Sequence, residues 1–254
     1  MDYEKHVRGV VTRRNDLTAS LRILNIRPDR QVPFVPGQYV TIGLKDGDRI
    51  VERPYSVTSR PKGPELEFLV EAVSGGQLSP CLCALPVGAG VFLRPAAKGL
   101  FTFDSESGHK HHFMIATGTG VAPYLSMVRD WIEDNRRAPC YEIAVLHSAR
   151  VSAELAYREE LFEYARLQWL HYIPAVSRIW QDPAWPGERG RAEDVARKHL
   201  DGLGFGTDTT TVYLCGNPDM IQIMDGIVRR SGFPSTSIRK ERYWPGKSVA
   251  ASTP

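Results

Sequence analysis

Apolar and polar positions follow two different patterns along this chain. Over residues 5–93, short runs at 7–12, 20–26, 38–44, 52–58 and 65–70 alternate apolar with polar positions. Strands with one buried face have that period, and Pro36-Gly37 and Lys45-Asp46-Gly47-Asp48 supply turns between them. The spacing predicts a small antiparallel barrel or sandwich. One helix interrupts it at 77–85, behind Ser74-Gly75-Gly76, whose backbone N–H groups at a helix start favour an anion.

From His112 the pattern changes to apolar run, helix-period segment, apolar run. The run at 113–116 leads into a helix at 122–134, 141–147 leads into one at 154–166, 169–176 follows, and 211–214 leads into 219–230. That is βαβ alternation, which implies a parallel sheet with helices on its faces. Residues 104–110 are polar and contain Gly108, as a linker does. The expected division is an N-terminal domain at 1–103, a linker at 104–111, an α/β domain at 112–244 and a tail at 245–254.

Composition narrows the class. A chain of 254 residues that is 42% hydrophobic can bury two cores of ordinary size, and 24% charged residues is average for folded proteins. A net charge of +3 is too small to argue for nucleic acid. No apolar stretch approaches the roughly 20 residues of a membrane span, and Met1-Asp2-Tyr3-Glu4-Lys5 lacks the form of a signal peptide. The expectation is a monomeric cytoplasmic protein that binds neither membrane nor nucleic acid. The four cysteines, Cys81, Cys83, Cys140 and Cys215, have the spacing of neither a zinc site nor an iron–sulfur cluster, so no metal is expected. Cys81 and Cys83 read as packing residues.

Arg53-Pro54-Tyr55-Ser56 puts a cation, a flat aromatic and a hydroxyl on one short piece of backbone. Arginine offers a fork of donors to a phosphate, tyrosine a face for a ring, and serine a hydrogen bond to a ring nitrogen. Taken alone, the tetrapeptide reads more readily as a solvated strand. Gly118-Thr119-Gly120-Val121-Ala122-Pro123 follows the first strand of the α/β half and opens its first helix, where a dinucleotide pyrophosphate docks. Cys215-Gly216-Asn217-Pro218 repeats that arrangement at a later strand end. A small, soft side chain at 215 suits a nicotinamide ring, and a buried core cysteine is an equal reading.

Together Arg-x-Tyr-Ser, Gly-Gly-x-x-Ser, Gly-Thr-Gly-x-Ala-Pro and Cys-Gly-Asn-Pro, in this order, resemble the ferredoxin/flavodoxin–NADP+ reductase family in its short bacterial branch. The resemblance implies a six-stranded antiparallel barrel that holds FAD, followed by an α/β domain that holds NADP(H). It implies Arg53 on the FAD pyrophosphate, Tyr55 against the isoalloxazine and Ser56 near N5, with Pro54 also among the cofactor-binding residues. Gly76, Gln77, Leu78 and Ser79 would hold the pyrophosphate at a helix start, with the main chain of Leu69, Val70 and Glu71 along the ring edge. Thr117, Gly118, Thr119, Gly120 and Pro123 would receive the nicotinamide nucleotide, with Cys215, Gly216 and Asn217 beside it. The segment 59–65 is too short for the adenine-binding hairpin of the plant branch. The bacterial alternative is a C-terminal aromatic, which makes Trp244 the adenine platform and Tyr243 a neighbour of the flavin; in that subgroup the chain ends at the tryptophan, whereas ten residues follow here.

Arg150, Ser177, Arg178 and Arg191 fall just past strand ends where the adenosine ribose would lie, and no acidic residue clearly takes the ribose role that favours NAD. They point to NADPH, although Arg150 and Arg189 are equally readable as solvated loop charges. Ser56, Cys215 and Glu241 are the candidate catalytic residues; Glu241 would help proton balance or is simply a surface carboxylate. The implied partner is a ferredoxin or flavodoxin, with Arg13-Arg14, Lys98, Arg229-Arg230 and Arg239-Lys240 as docking cations. Alternatives are an NAD(P)H:flavin reductase, a reductase component of an oxygenase, or a non-catalytic nucleotide-binding regulator.

Overall fold

The computed structural model describes residues 5–135 and 140–243. Its first half contains β1 (Val7–Asp16), β2 (Leu21–Pro28), β3 (Tyr39–Asp46), β4 (Arg49–Ser56), β5 (Leu66–Glu71), α1 (Ser79–Ala84) and β6 (Gly90–Leu93). The strands pair antiparallel in the order β4-β3-β6-β1-β2-β5. A bridge between Val57 and Phe68 joins the two edges, so the sheet closes on itself as a barrel. Alternation fills its interior: Val7, Val11, Leu24, Ile26, Val40, Ile42, Phe68 and Leu93 are fully buried. Pro54 sits in β4, paired on one side by β3 only in the named ladders, the kind of edge position where a missing N–H is tolerated.

The second half contains β7 (His111–Thr117), α2 (Ala122–Asn135), β8 (Glu142–Ala149), α3 (Arg158–Tyr164), β9 (Leu170–Val176), β10 (Glu188–Arg189), α4 (Ala192–Gly202), β11 (Thr210–Gly216), α5 (Pro218–Arg230) and β12 (Ile238–Arg242). All ladders are parallel, in the order β10-β9-β8-β7-β11-β12. The inner strands are buried on both faces, which is why their sequences run apolar without alternation. Met114 and Ala116 pack towards α2 and α3, while Phe113 and Ile115 pack towards α4 and α5. The chain leaves β7 towards β8 on one side and returns to β11 on the other. That reversal places a crevice at the carboxyl ends of β7 and β11.

Several elements differ from the sequence expectation. β6, β10, β12 and α4 were not anticipated, and the helix expected at 154–166 is shorter. A 3-10 turn occupies Ser152–Glu154, and α3 begins only after Tyr157. Cys83 is buried as expected, whereas Cys81 is exposed and so does not pack. Among the described residues no helix is long and apolar enough to cross a membrane.

The two halves share a continuous apolar seam. Leu21, Ile23, Leu69 and Phe101 of the first half join Met114, Leu125, Val128 and Tyr213 of the second in one buried cluster. β5 is therefore covered on both faces, with Leu66, Phe68 and Val70 in the barrel and Leu69 in the seam.

Candidate functional site

Two turns interlock at the carboxyl end of the parallel sheet. Gly118 has φ +52° and Gly216 φ +121°, both in the left-handed region that side chains disfavour. A Cβ on Gly120 would overlap the Cys215 carbonyl, and one on Gly216 would overlap Thr117. Gly120 and Gly216 are thus each required by the opposite turn, and Gly118 by its backbone conformation alone. The Asn217 N–H donates to Thr117 Oγ1 at 2.9 Å, and the Asn217 side chain accepts from the N–H groups of Asp219 and Met220, capping α5. Pro123 is the second residue of α2, where its missing N–H costs nothing. Beneath the turn, His147 at the end of β8 lies 3.0 Å from the Gly118 carbonyl through Nε2. Burial pushes this imidazole down to about 4, so the neutral ring donates Nε2–H to that carbonyl.

Tyr243 ties this end to the barrel. Its hydroxyl lies 3.2 Å from Ser56 Oγ and 3.2 Å from the Thr119 carbonyl, with its one proton available to either acceptor. Its N–H donates to the Gly216 carbonyl, and its phenol lies against Cys215. Cys215 is fully buried, and burial first, then the Glu241 charge, pushes its thiol far above the usual range. Glu241 stands opposite Cys215 in the β11–β12 register. Its Oε2 is sealed from solvent with no hydrogen-bond partner, and burial raises the carboxyl to about 7. The three candidate catalytic residues and Tyr243 therefore come from three separate chain segments, the end of β4, β11 and the run 241–243, to one end of the seam.

The remaining candidates lie along the barrel edge. Arg53 is exposed; it donates to the Glu52 carbonyl at 2.7 Å and to Gln77 Oε1 at 3.3 Å, linking β4 to the approach to α1. Tyr55 is partly buried against the barrel core, and that burial raises its phenol. The Gly76 N–H donates to the Val73 carbonyl, and Ser79 Oγ accepts from the Val73 N–H, folding this turn onto the start of α1. Leu78 is 2% exposed, so it offers the main chain and not its side chain. Leu69 and Val70 are likewise buried, while Glu71 pairs with Arg150 at 2.9 Å.

On the adenosine side, the Arg150 guanidinium is held by Glu154 as well as Glu71. Two carboxylates already engage its donors. The Arg178 N–H donates to the Arg150 carbonyl, and the Ser177 hydroxyl donates to the Ala149 carbonyl, which sets this loop at the ends of β8 and β9. No ion pair is formed by the Arg178 side chain among the described residues, and Arg191 reaches only Glu193 at 3.8 Å. Of the docking cations, Arg14 pairs with Asp16, Arg229 and Lys240 with Asp225, and Arg239 with Asp104. Trp244 and the tail at 245–254 lie outside the described residues. No cluster of His, Cys, Asp and Glu among the described residues suits a metal.

Comparison with known proteins follows the same two-part division. Residues 8–102 match the family described as Oxidoreductase FAD-binding domain, and 114–226 match Oxidoreductase NAD-binding domain. The chain is 35% identical over 252 residues to the reductase component DmpP of phenol 2-monooxygenase from a Pseudomonas species, covering 97% of this chain and 68% of that protein. It is 33% identical to the flavodoxin/ferredoxin–NADP reductase of Escherichia coli, covering 85% of this chain and 87% of that one. A crystal structure of a Neisseria gonorrhoeae ferredoxin NADP+ reductase, with bound FAD and NADP, superimposes with a TM-score of 0.83 at 22% identity, over 94% of this chain and 99% of that one. With both halves matched in order and a relative 33% identical across most of both chains, the chain belongs to the ferredoxin/flavodoxin–NADP+ reductase family of FAD- and NAD(P)-dependent oxidoreductases.

Proposed function

We propose that the protein passes a hydride between NADP(H) and FAD held at the seam, and exchanges single electrons with a ferredoxin or flavodoxin. The observation that supports this most is the Tyr243 hydroxyl poised between Ser56 of the barrel and Thr119 of the dinucleotide turn. The two expected nucleotide sites meet at that point.

The residues fit both groups by the chemistry of their donors. An exposed guanidinium at Arg53, a ring at Tyr55, a hydroxyl at Ser56 and an unpartnered buried carboxyl at Glu241 suit a flavin, and the interlocked glycines leave a close backbone approach for a dinucleotide. Bound FAD supplies the interchange between two-electron hydride chemistry and one-electron carriers. In this reading Arg53 and the main chain of Gly76, Gln77, Leu78 and Ser79 hold its pyrophosphate, and Tyr55 with Pro54 and the main chain at Leu69, Val70 and Glu71 frames its ring.

With Tyr243 donating to Ser56 Oγ, the serine proton would be free to donate to a ring nitrogen of a bound flavin. Glu241, with a value near 7, exchanges a proton at neutral pH where an ordinary glutamate stays ionised. Cys215 stays a thiol and packs against the nicotinamide rather than attacking it. Tyr243 covers Cys215, and its phenol would have to move to open that position to a nicotinamide, at a cost of about 1 kcal/mol for each hydrogen bond it gives up. Arg178 and Arg191, with Ser177 beside them, take the 2′-phosphate, which makes NADPH the preferred reductant.

The domain division at 104–111, a cytoplasmic location and a monomeric state belong to the same proposal. A second reading, a reductase component that serves an oxygenase, draws on the 35% identity to the phenol 2-monooxygenase component. Electron delivery separates them: the FAD-loaded protein with NADPH is expected to reduce an acidic ferredoxin or flavodoxin, in a reaction that slows as salt rises. Turnover with a purified oxygenase component, and none with either carrier, would favour the second reading.

A further inference from the structure

The flavin motif and the dinucleotide turn are joined a second time, by the segments that follow each of them. β4 ends at Ser56 and continues into Val57-Thr58-Ser59. The glycine turn continues into α2, whose inner face carries Ser126 and Arg129. Ser126, fully buried, donates to the Ser59 carbonyl at 2.7 Å, and Arg129 Nη1 donates to the Thr58 carbonyl at 2.9 Å.

Behind these bonds lies a buried charge cluster. Glu67 projects from the seam face of β5 and is 7% exposed. Its Oε1 accepts from Arg129 Nη1 at 2.7 Å, Thr58 Oγ1 at 2.9 Å and the Tyr157 hydroxyl at 3.0 Å, and its Oε2 accepts from Asn25 at 3.3 Å. The other edge of Arg129 forks onto both oxygens of Glu160 at 2.7 Å, and Tyr164 donates to Glu160 in turn. Burial alone would raise the Glu67 carboxyl, yet Arg129 and the hydroxyl donors hold it below the usual range.

Tyr157 carries the backbone mark of this arrangement. Its φ of +60° is the one left-handed non-glycine value among the described residues. Such a conformation costs about 1 kcal/mol or more, and here it turns the phenol inward, with Arg129 stacked 5.2 Å over its ring. An apolar seam is non-directional and tolerates sliding, whereas a fork of bonds with fixed lengths and angles does not.

We propose that Glu67, Arg129 and Tyr157 are positioning residues that lock the register between the flavin-binding and nucleotide-binding halves, and so set the distance across which hydride moves. The proposal rests on the hydride-transfer reading above for its functional consequence, and on the seam geometry alone for its structural one. The test takes the FAD-loaded protein in a background with the exposed Cys81 and Cys140 replaced by serine. Spin labels on cysteines at the exposed positions Asp48 and Gln222 report the distance between halves, and stopped-flow absorbance reports flavin reduction at saturating NADPH.

Arg129→Met is expected to broaden the distance distribution and slow reduction about 30-fold, on the scale that a small misplacement of reacting atoms produces, with FAD retention and NADPH affinity within about twofold of the parent. Tyr157→Phe, which keeps the ring, is expected to slow reduction about threefold, and Arg129→Lys to recover part of the loss. Should Arg129→Met fail to fold, Tyr157→Phe and Glu67→Gln carry the same two readouts. A narrow, unshifted distribution with parental reduction rates would overturn the proposal, as would a rate that falls only in step with FAD loss. If the parent itself is not reduced by NADPH, the hydride reading fails, while the distance distributions still decide the lock.

Discussion

Glu67 and Glu241 are both sequestered at the seam, and their surroundings drive them in opposite directions. Glu67 meets four donors, one of them the Arg129 guanidinium, and its carboxyl is held low despite burial. Glu241 has an oxygen with no donor at all, and burial lifts it to about 7. Burial sets the cost of a charge, and the partners decide whether that cost is met. One end of the seam therefore holds a permanent charge that fixes geometry, and the other holds a carboxyl whose proton is mobile at neutral pH.

The largest expected effect breaks the first end. Arg129→Met leaves the buried Glu67 with only the exposed Arg13 guanidinium at 3.8 Å and should lower the unfolding free energy by about 3 kcal/mol at neutral pH, measured by urea denaturation. The sign with pH follows from the lowered folded value. The stability Glu67 contributes is complete above its unfolded value of about 4.3 and is lost as pH falls through the folded one. Acidification should therefore erode the parent more than the variant.

Glu241 has the opposite sign. Its folded value of about 7 exceeds the unfolded one, so the folded protein binds more protons between them and its stability falls as pH rises through that window. Glu241→Gln should stabilise by about 3 kcal/mol at pH 8 and by almost nothing near pH 4. Equal gains at both values would mean that the raised value is not the cause.

A smaller effect sharpens the same contrast on the adenosine side, where Arg150 is held by two carboxylates and Arg178 by none among the described residues. Arg178→Ala or Arg191→Ala should raise KM for NADPH about tenfold and leave that for NADH almost unchanged, as the loss of one charge-assisted bond implies. Equal effects on the two nucleotides would remove the 2′-phosphate assignment.

Much of this architecture was legible because the relevant strands obey simple periods. β7, β8, β9 and β11 are buried on both faces and appear as apolar runs, the glycines at 120 and 216 stand where close backbone approach requires them, and Gly118 stands where φ is positive. β12 was missed because Ile238-Arg239-Lys240-Glu241-Arg242 is an edge strand with polar side chains, and β10 because two residues carry no period. α4 hides its apolar stripe, Val195, Ala196 and Leu200, among charges between two loops.

Glu67 is the most instructive miss. In the string Leu66-Glu67-Phe68-Leu69 it has the place of a solvent-facing residue on a half-buried strand, and only the packing of α2 and α3 onto that face makes it internal. Tyr157 gave no signal either, since no local rule demands a left-handed tyrosine; the bond to Glu67 does. Alternation along a strand reports which residues share a face, not what covers it.

The central claim, that two nucleotides meet at the Ser56–Tyr243–Thr119 junction and exchange hydride, is tested most directly by anaerobic titration of the FAD-loaded protein with NADPH while its visible absorption is followed. The account predicts that the oxidised flavin band is lost as one equivalent is added. A band that persists through excess NADPH, in protein that has retained its FAD, would contradict it.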